Sequence, residues 1–312
     1  MRSVDDARAR VVRARFTVSL VYTARVRVCH GDLDAFGRAH ASAYLRHLAQ
    51  VAIDASTAAG FDAAWYEAAG ARWLIRRTTF AVARPARADA SLSVRTWVED
   101  FRRVRSRRRY EVSGGDVPAL TAETDWVFVD LATGRPRRVP PEMESRFGVS
   151  AGAGAPRPAW HGPPVPPAPG RTVHRVRWIE LDSLGHLNNA AYLDILVQSA
   201  FDVLHELGWP IDRLVMADGA PWVADGDVEY LDEVRAGDSI ETATWFGAKL
   251  DAMGDGLEVH QTAARVADGR PVARATMTWR WAHLHTDAPA PLPDGLVAAV
   301  ETTREDSWTS DR

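Results

Sequence analysis

A short element that carries an aspartate and a glycine occurs twice in the chain. It reads DAFGRAHASAYL at Asp34–Leu45 and DSLGHLNNAAYL at Asp182–Leu193, an offset of 182 − 34 = 148 residues. In each copy we expect a helix to begin just after the glycine, so that the carboxylate lies near unpaired N–H groups of the first helical turn. Such a carboxylate can act as a general base or a nucleophile while the N–H groups polarise a carbonyl oxygen. Asp182 is the first candidate for the reacting carboxylate, and Asp34 is the second.

The same offset relates other parts of the chain and indicates a duplicated domain. The tripeptide ARA at 86–88 corresponds to VRA at 234–236, and Thr96–Trp97 corresponds to Thr244–Trp245. A long period that occurs only twice is typical of two globular units rather than of a solenoid. The predicted organisation is an N-terminal domain at 18–148, a Pro/Gly/Ala-rich linker at 149–171, a C-terminal domain at 172–285 and a peripheral tail at 286–312.

Each copy predicts one long helix followed by a run of strands. In the second copy, apolar residues recur at helical spacing until Gly208 and Pro210 end the pattern: Leu193, Leu196, Val197, Ala200, Leu204 and Leu207. The segments after the helix have compositions typical of strands, at 91–98, 107–112 and 124–130 in the first copy and at 240–246, 257–266 and 272–281 in the second. This order of elements predicts an α+β fold.

The overall composition argues against several classes of function. The formal net charge is −3, so no global positive field favours nucleic acid or a membrane surface. Cys29 is the only cysteine, which excludes an intrachain disulfide and a thiolate metal cage. No stretch resembles a signal peptide or a membrane-spanning segment. We therefore expect a cytoplasmic protein with no cofactor, no metal, and no nucleic-acid or membrane partner.

Three segments resemble the hotdog-fold thioesterases, in which an antiparallel sheet wraps a central helix. Gly31–Gly37 is similar to the Gly-Asp-x-Asp-x-x-Gly turn of hydroxybenzoyl-CoA-type thioesterases, and Asp182–Tyr192 resembles an Asp-x-x-Gly-His-x-Asn-Asn-x-x-Tyr element of many hotdog thioesterases. Trp126–Glu142 is similar to the segment that closes the first hotdog of plant-type acyl-ACP thioesterases, which are also tandem hotdogs. The resemblance covers most of both copies. It implies a tandem double hotdog that hydrolyses acyl-ACP or acyl-CoA thioesters, with the CoA or phosphopantetheine carried by the substrate.

The resemblance also implies the residues of the site. His186, four residues after Asp182, and Glu233, in the strand after the helix, match a His and a Glu of the acyl-ACP branch. Leu184 and Val234 depart from that branch, because they replace an Asn and a frequent Cys. The catalytic candidates are Asp182, Asp34, Glu233 and His186, and the substrate-binding candidates are Gly185, Gly37, Asn188, Asn189, Tyr192 and Tyr44.

The first copy departs further from the family pattern. Asp34 remains, but Arg38 replaces the His, Ala41 replaces the second Asn, and Pro85 occupies the position of Glu233. This half is either a second site or a degenerate one that shapes the acyl pocket.

Structural roles compete with these functional ones. An aspartate before a helix often caps it, although its repetition here favours chemistry. His186 can satisfy a core hydrogen bond, Asn188 and Asn189 can fix a turn, and Glu233 can be a solvated hairpin charge. The Arg-rich segment Phe101–Tyr110 can attract an acidic carrier protein or CoA, or it can be a solvated hairpin.

Two other functions fit the sequence less well. A hotdog dehydratase or hydratase typically has its Asp and His one residue further apart, with Asn-Pro between them, whereas no proline lies between Asp182 and His186. A non-catalytic acyl-carrier-binding protein is suggested by Leu184 and Val234, which replace polar groups. The two fused hotdogs fit either a monomer that forms a pseudo-dimer or a homodimer. An Arg-rich, Lys-poor composition is compatible with polyketide as well as fatty-acid metabolism.

Overall fold

The computed structural model describes residues 20–149, 152, 157–160, 162–251, 254–284 and 286–303. The first half contains β1 (Val21–Arg27), α1 (Ala41–Ala58), α2 (Ala63–Ala69), β2 (Ala71–Val82), β3 (Ser91–Arg102), β4 (Arg105–Gly114), β5 (Val117–Asp130) and α3 (Pro141–Phe147). The second half contains β6 (Gly170–Arg175), α4 (Asn189–Glu206), α5 (Ile211–Met216), β7 (Gly219–Tyr230), β8 (Ser239–Asp251), β9 (Gly254–Arg265), β10 (Pro271–His283), β11 (Pro289–Ala290) and α6 (Leu296–Glu301). Both halves begin with a strand, a long helix, a short helix and four strands.

The strands of the described residues form one antiparallel sheet that wraps α1 and α4. Its order is β1-β3-β4-β5-β2-β7-β10-β9-β8-β6, with β11 beside β10. Strand residues alternate between the face that packs on the helices and the opposite face, as the buried positions of β3 illustrate. Leu48 of α1 and Leu196 of α4 are buried in the same core. The predicted α+β double hotdog is confirmed.

The two halves meet at an axis of approximate two-fold symmetry. Where β2 pairs with β7, Thr79 lies opposite Asp227, which is 148 positions further along the chain. Arg46 of α1 forms an ion pair with Asp194 of α4, and these residues are also 148 positions apart. Equivalent residues that contact each other must lie close to the symmetry axis. The halves are therefore arranged as the two subunits of a dimer would be.

The segment after β10 packs against the second half. Leu296 and Val300 of α6 are buried in the core, and Thr303 Oγ1 accepts a hydrogen bond from Phe246 N at 3.3 Å. The expectation of a peripheral tail is therefore wrong for the described residues of 286–303, because a short amphipathic helix follows the Pro-rich stretch. Residues 304–312 lie outside the described residues.

The described part of the predicted linker runs over the outer face of the sheet. Arg157 Nη2 lies 3.0 Å from Glu123 Oε2, and Arg77 lies over the Trp160 ring at 5.7 Å. Among the linker residues that the structure describes, none before Gly170 belongs to a helix or strand. In the same described ranges, no helix has the length and hydrophobicity needed to cross a lipid bilayer.

Candidate functional site

The second repeated aspartate lies in a tight turn that precedes α4. Asp182 Oδ1 accepts hydrogen bonds from the backbone N–H groups of Leu184 at 2.8 Å and His186 at 3.2 Å. Asp182 N donates to His186 O at 2.8 Å, and Gly185 N donates to Asp182 O at 3.0 Å. Gly185 has φ +75°, a left-handed conformation that favours glycine. The turn fixes Oδ1, whereas Oδ2 has no hydrogen-bond partner among the described residues.

The structure brings His186 and Glu233 together. His186 Nε2 lies 2.8 Å from Glu233 Oε2, and Arg235 Nη2 lies 3.0 Å from Glu233 Oε1 and 3.3 Å from His186 Nε2. The segment that carries Glu233 is tied to the aspartate turn, because Leu187 N donates to Val234 O at 2.7 Å. Glu233 lies in the loop after β7 rather than in the strand itself, and its side chain is half exposed.

The start of α4 differs from the expectation. The helix begins at Asn189, seven residues after the aspartate, and the Asn188 side chain caps it by accepting from the N–H of the second helical residue at 2.9 Å. The N–H groups of Gly185 and His186, expected to polarise a carbonyl, are instead occupied by the aspartate turn. Asn189 N–H has no acceptor among the described residues, and Asn189 lines the adjoining cavity. It is therefore the better candidate donor to an oxyanion.

Two tyrosines connect the start of α4 and the end of β7 through hydrogen bonds. Tyr192 Oη donates to Asp232 O at 3.3 Å, Tyr230 Oη donates to Asn189 O at 3.2 Å, and the two rings are 5.5 Å apart. Burial raises the pKa of both hydroxyls, so they remain neutral donors at neutral pH. Tyr192 thus both lines the cavity and holds the backbone around it.

A cavity of about 920 Å³ separates this turn from the first half of the molecule. Its second-half wall contains Asp182, His186, Asn188, Asn189, Tyr192 and Glu233. Its first-half wall comes from α1, α2, α3 and the inner face of the sheet, and includes Ile53, Tyr66, Trp73, Phe101, Arg108, Trp126 and Phe147. A volume of this size accommodates a small organic ligand.

The first repeated aspartate lies in a turn with the same hydrogen bonds. Asp34 Oδ1 accepts from Phe36 N at 2.8 Å and Arg38 N at 2.9 Å, Asp34 N donates to Arg38 O at 2.7 Å, and Gly37 N donates to Asp34 O at 3.0 Å. Gly37 has φ +73°. Asp34 and Tyr44 line a separate cavity of about 750 Å³, whose opposite wall is α4. The Tyr44 hydroxyl accepts a backbone hydrogen bond at 2.7 Å.

The surroundings of the first turn differ from those of the second. Arg38 is 2% exposed, and its Nη2 lies 2.8 Å from Asp287 Oδ1. Arg87 Nε donates to Asp287 Oδ2 at 2.7 Å. Arg38 and Arg87 are the equivalents of His186 and Arg235. An Arg-Asp-Arg cluster therefore replaces the His-Glu-Arg cluster of the second half. Its carboxylate comes from a turn distant in the chain, which no motif in the sequence singles out.

The Arg-rich segment Phe101–Tyr110 divides between the two faces of the sheet. Arg107 and Arg109 lie on the outer face, where carboxylate oxygens stand 2.9 and 2.8 Å from their guanidinium nitrogens. Arg108 lies on the inner face, is 6% exposed and lines the 920 Å³ cavity. Sequence reasoning missed Arg108 as a site residue, although strand alternation within the run was the signal that could have identified it.

The antiparallel sheet wrapped around two helices, with an aspartate turn beside each helix, defines a double hotdog protein. Residues 19–147 match the acyl-ACP thioesterase N-terminal domain, and residues 176–300 match the thioesterase-like superfamily. The resemblance to hotdog thioesterases of the acyl-ACP type is thereby confirmed, and these matches support thioester hydrolysis.

Solved structures of similar proteins share the fold over most of the chain. A Lactobacillus plantarum protein with oleoyl thioesterase as its proposed activity is 18% identical, with a TM-score of 0.72, over 88% of this chain and 97% of its own. An acyl-ACP thioesterase from Bacteroides thetaiotaomicron is 18% identical, with a TM-score of 0.65, over 83% and 97%. The 12:0-ACP thioesterase from Umbellularia californica is 16% identical, with a TM-score of 0.66, over 84% and 94%. At these identities the likeness establishes the fold alone. Comparison with curated protein sequences gives no match.

Proposed function

We propose that the protein hydrolyses an acyl thioester carried by acyl carrier protein or CoA, and that Asp182 supplies the reacting carboxylate. The observation that carries this proposal is the convergence of Asp182, His186 and Glu233 on one cavity, with His186 Nε2 2.8 Å from Glu233 Oε2. The two thioesterase family matches support the reaction class. The acyl chain, of fatty-acid or polyketide type, enters the cavity between the two halves.

In the proposed reaction, Asp182 Oδ2 accepts a proton from a water molecule while the water oxygen attacks the thioester carbonyl carbon. Because Oδ1 is held by two backbone N–H groups, the carboxylate is already oriented. The resulting oxyanion accepts a hydrogen bond from Asn189 N–H at the start of α4. The carbon–sulfur bond then breaks, and the proton on Asp182 passes to the departing sulfur. The products are a carboxylic acid and a free thiol.

His186 and Glu233 have a positioning role in this proposal. The Glu233 carboxylate holds the imidazole of His186, which leaves the other ring nitrogen available to orient the attacking water. Arg235 keeps Glu233 in place from the solvent side. The histidine and the glutamate therefore act as a pair.

The first half contributes the acyl-binding wall in this proposal. Its Asp34 turn is fixed beside the Arg38–Asp287–Arg87 cluster and opens on the separate cavity. Gly37 and Gly185 provide the left-handed conformation of each turn, and neither lines the two cavities. The degenerate interpretation of the first copy is favoured, because no carboxylate stands at the Pro85 position.

Acyl-ACP is the proposed form of the substrate, supported by the family model that matches the first half. Arg235 is exposed beside Glu233 of the cavity wall, where it can contact the phosphate of a phosphopantetheine arm. CoA carries the same arm, so a preference between the two carriers has to be measured directly.

The test is thiol release from matched acyl-ACP and acyl-CoA thioesters by wild-type protein and by Asp182→Asn. Asparagine retains the oxygen that closes the turn but removes the negative charge. We expect release by wild type, faster from acyl-ACP, and its loss in the variant. Undiminished release by Asp182→Asn would contradict the assignment. Tight binding of acyl-ACP without release would support a carrier-binding protein, and interconversion of hydroxyacyl and enoyl chains would support a dehydratase.

A single turnover in isotopically labelled water separates the two roles of the carboxylate. General-base catalysis puts the label in the released acid and leaves Asp182 unlabelled. A nucleophilic Asp182 forms a mixed anhydride, whose hydrolysis can place the label on the aspartate itself. Label on Asp182, detected by peptide mass spectrometry, would replace the base mechanism with the nucleophilic one.

A further inference from the structure

The inner wall of the cavity contains one buried arginine. Arg108 of β4 is 6% exposed, and its guanidinium lies 5.5 Å from the centroid of the Phe147 ring. Its neighbours on the first-half wall include the aromatic rings of Tyr66 and Phe101. Burial lowers the pKa of Arg108, as expected for a cation that has lost its water. A buried positive charge therefore stands among aromatic rings on a wall that also includes the less buried Arg72, Arg76 and Arg105 and the carboxylate of Asp62.

Arg108 has few partners for its charge. Within the described ranges its one side-chain hydrogen bond runs from Nη1 to Thr96 Oγ1 at a long 3.4 Å, although a guanidinium carries five N–H donors. Among the described residues, no aspartate or glutamate forms an ion pair with it. The flanking Arg107 and Arg109 are both paired with carboxylates on the outer face. Buried charges are normally paired, so the missing counter-charge requires an explanation.

The duplicated half shows that the fold does not need an arginine here. Arg108 belongs to a row of inward-facing residues across four strands of the first half: Val98, Arg108, Thr124 and Thr78. The equivalent row of the second half consists of Phe246, Val259, Met277 and Gly226. Val98 and Phe246 are 148 positions apart, as are Thr78 and Gly226, so the two rows occupy equivalent places in the two halves. Val259 fills the place of Arg108 and is fully buried. The charge is thus particular to the first half, whose inner sheet face forms one wall of the 920 Å³ cavity.

We propose that the acyl chain hydrolysed by this protein carries a carboxylate remote from the thioester, and that Arg108 binds this carboxylate inside the cavity. The inference rests on the proposed thioesterase function and deepens it by naming the substrate class. A carboxylate neutralises the buried cation and matches the planar fork of the guanidinium, which a neutral keto or hydroxyl oxygen does only in part. The phosphates of CoA or of the carrier arm lie on the other side of the thioester, at the mouth of the cavity.

The experiment compares octanoyl-CoA with suberoyl-CoA, which have the same number of carbons but differ in a terminal carboxylate; shorter and longer matched pairs extend the comparison. Wild-type protein is expected to hydrolyse the carboxylated member with a kcat/KM about tenfold to a hundredfold higher, the range given by a charged hydrogen bond. Arg108→Met should reverse the preference. The variant loses the charged contact with the terminal carboxylate and gains an apolar side chain that packs against the uncharged acyl chain. Arg109→Met removes the neighbouring arginine on the outer face and should leave the preference intact.

Binding provides a readout that does not depend on hydrolysis. Calorimetry with unreactive amide analogues of the same two chains should show the same preference in wild type and its loss in Arg108→Met, with free CoA as the control for the phosphates. Arg108→Lys, which retains the charge without the fork, should keep part of the preference and serves if the methionine variant does not fold. Hydrolysis of both substrates by the wild-type protein, without a preference for the carboxylated one, would overturn the inference. An absence of hydrolysis for every thioester would overturn the proposed function, while the amide analogues would still decide the role of Arg108.

Discussion

The two aspartate turns share their hydrogen bonds but stand in different surroundings. In the second half, His186 and Glu233 meet beside the turn at the wall of the larger cavity. In the first half, Arg38 and Asp287 occupy the corresponding place, and Arg38 is buried. Nearly the same local geometry therefore stands beside a His-Glu pair in one copy, where we propose a reaction site, and beside a buried arginine in the other, where we propose a structural role. The neighbours of the turn, rather than the turn, separate the two roles.

The largest difference between the halves is expected in how substitution of each aspartate changes kcat. Asp182→Asn should lower kcat by about 10³-fold, the range for loss of a general base. Asp34→Asn, which makes the same chemical change in the same kind of turn, should lower it far less. Thiol release at saturating substrate checks both. Equal losses would mean that both copies take part in the chemistry, and the difference between the halves would disappear.

For stability, we expect the larger effect in the first half: substitution of Arg38 should lower the free energy of unfolding more than substitution of the equivalent His186. Arg38→Met removes a buried guanidinium that pairs with the partly exposed Asp287 and donates to Ala220 O at 2.9 Å, so it should lower the free energy of unfolding by about 2 kcal/mol. His186→Gln, at the equivalent position, should change it by much less because His186 is partly exposed. Urea unfolding of the two variants measures both changes. Comparable losses would show that the His-Glu-Arg cluster is structural as well.

The Arg38 effect should also depend on pH. Burial opposes ionisation of Asp287, but the hydrogen bonds from Arg87 and Arg38 outweigh it and lower the pKa of this carboxyl. A carboxyl with a lowered pKa in the folded state stabilises the fold above its unfolded pKa and loses that contribution as the pH falls through the folded value. The stability difference between wild type and Arg38→Met should therefore shrink in acid. Urea midpoints measured from neutral pH down to the acid range test this, and a constant difference would contradict it.

A smaller effect is expected at the two glycines. Gly185→Ala and Gly37→Ala each force a side chain into a left-handed conformation, which should cost about 1 kcal/mol. Gly37→Ala should cost more, because a Cβ at position 37 would lie 3.3 Å from Arg87 Nη1, whereas at position 185 no atom of the described residues lies within 4 Å. Thermal unfolding of the two variants ranks them. The reverse order would mean that the second turn is the tighter one.

The smallest effect concerns the contact on the symmetry axis. Arg46 and Asp194 are both nearly half exposed, so a double-mutant cycle with alanine should give a coupling of about 0.5 kcal/mol or less. Raising the salt concentration should reduce it further. A coupling of several kcal/mol would show that this pair, and not the pairing of β2 with β7, holds the halves together.

Much of the fold could be predicted because the sequence repeats itself. Each copy separately indicates one helix and a run of strands, and the common offset of Asp34 and Asp182 sets the two copies in register. The resemblance supplied His186 and Glu233, and the structure brings these two side chains into contact. Their catalytic roles stay predictions.

What the sequence could not provide depends on contacts between distant segments. Asp287 lies 249 positions after Arg38, in a stretch whose prolines suggested a peripheral tail, so no local pattern connects the two. The start of α4 was placed too early because the aspartate turn itself uses the N–H groups of Gly185 and His186. Arg108 lies in a charged run, in which strand alternation separates it from Arg107 and Arg109. The pairing of β3, β4 and β5 then shows that Arg108 is on the inner face.

The ion pair on the symmetry axis bears on how the two halves recognise each other. If two copies of the first half associated in the same way, Arg46 would face a second Arg46, and in a pair of second halves Asp194 would face a second Asp194. Like charges at that distance repel, whereas the mixed pair attracts. Expressed as separate polypeptides, the two halves should therefore form a heterodimer in preference to either homodimer. The covalent link between the halves enforces the same pairing that Arg46 and Asp194 favour.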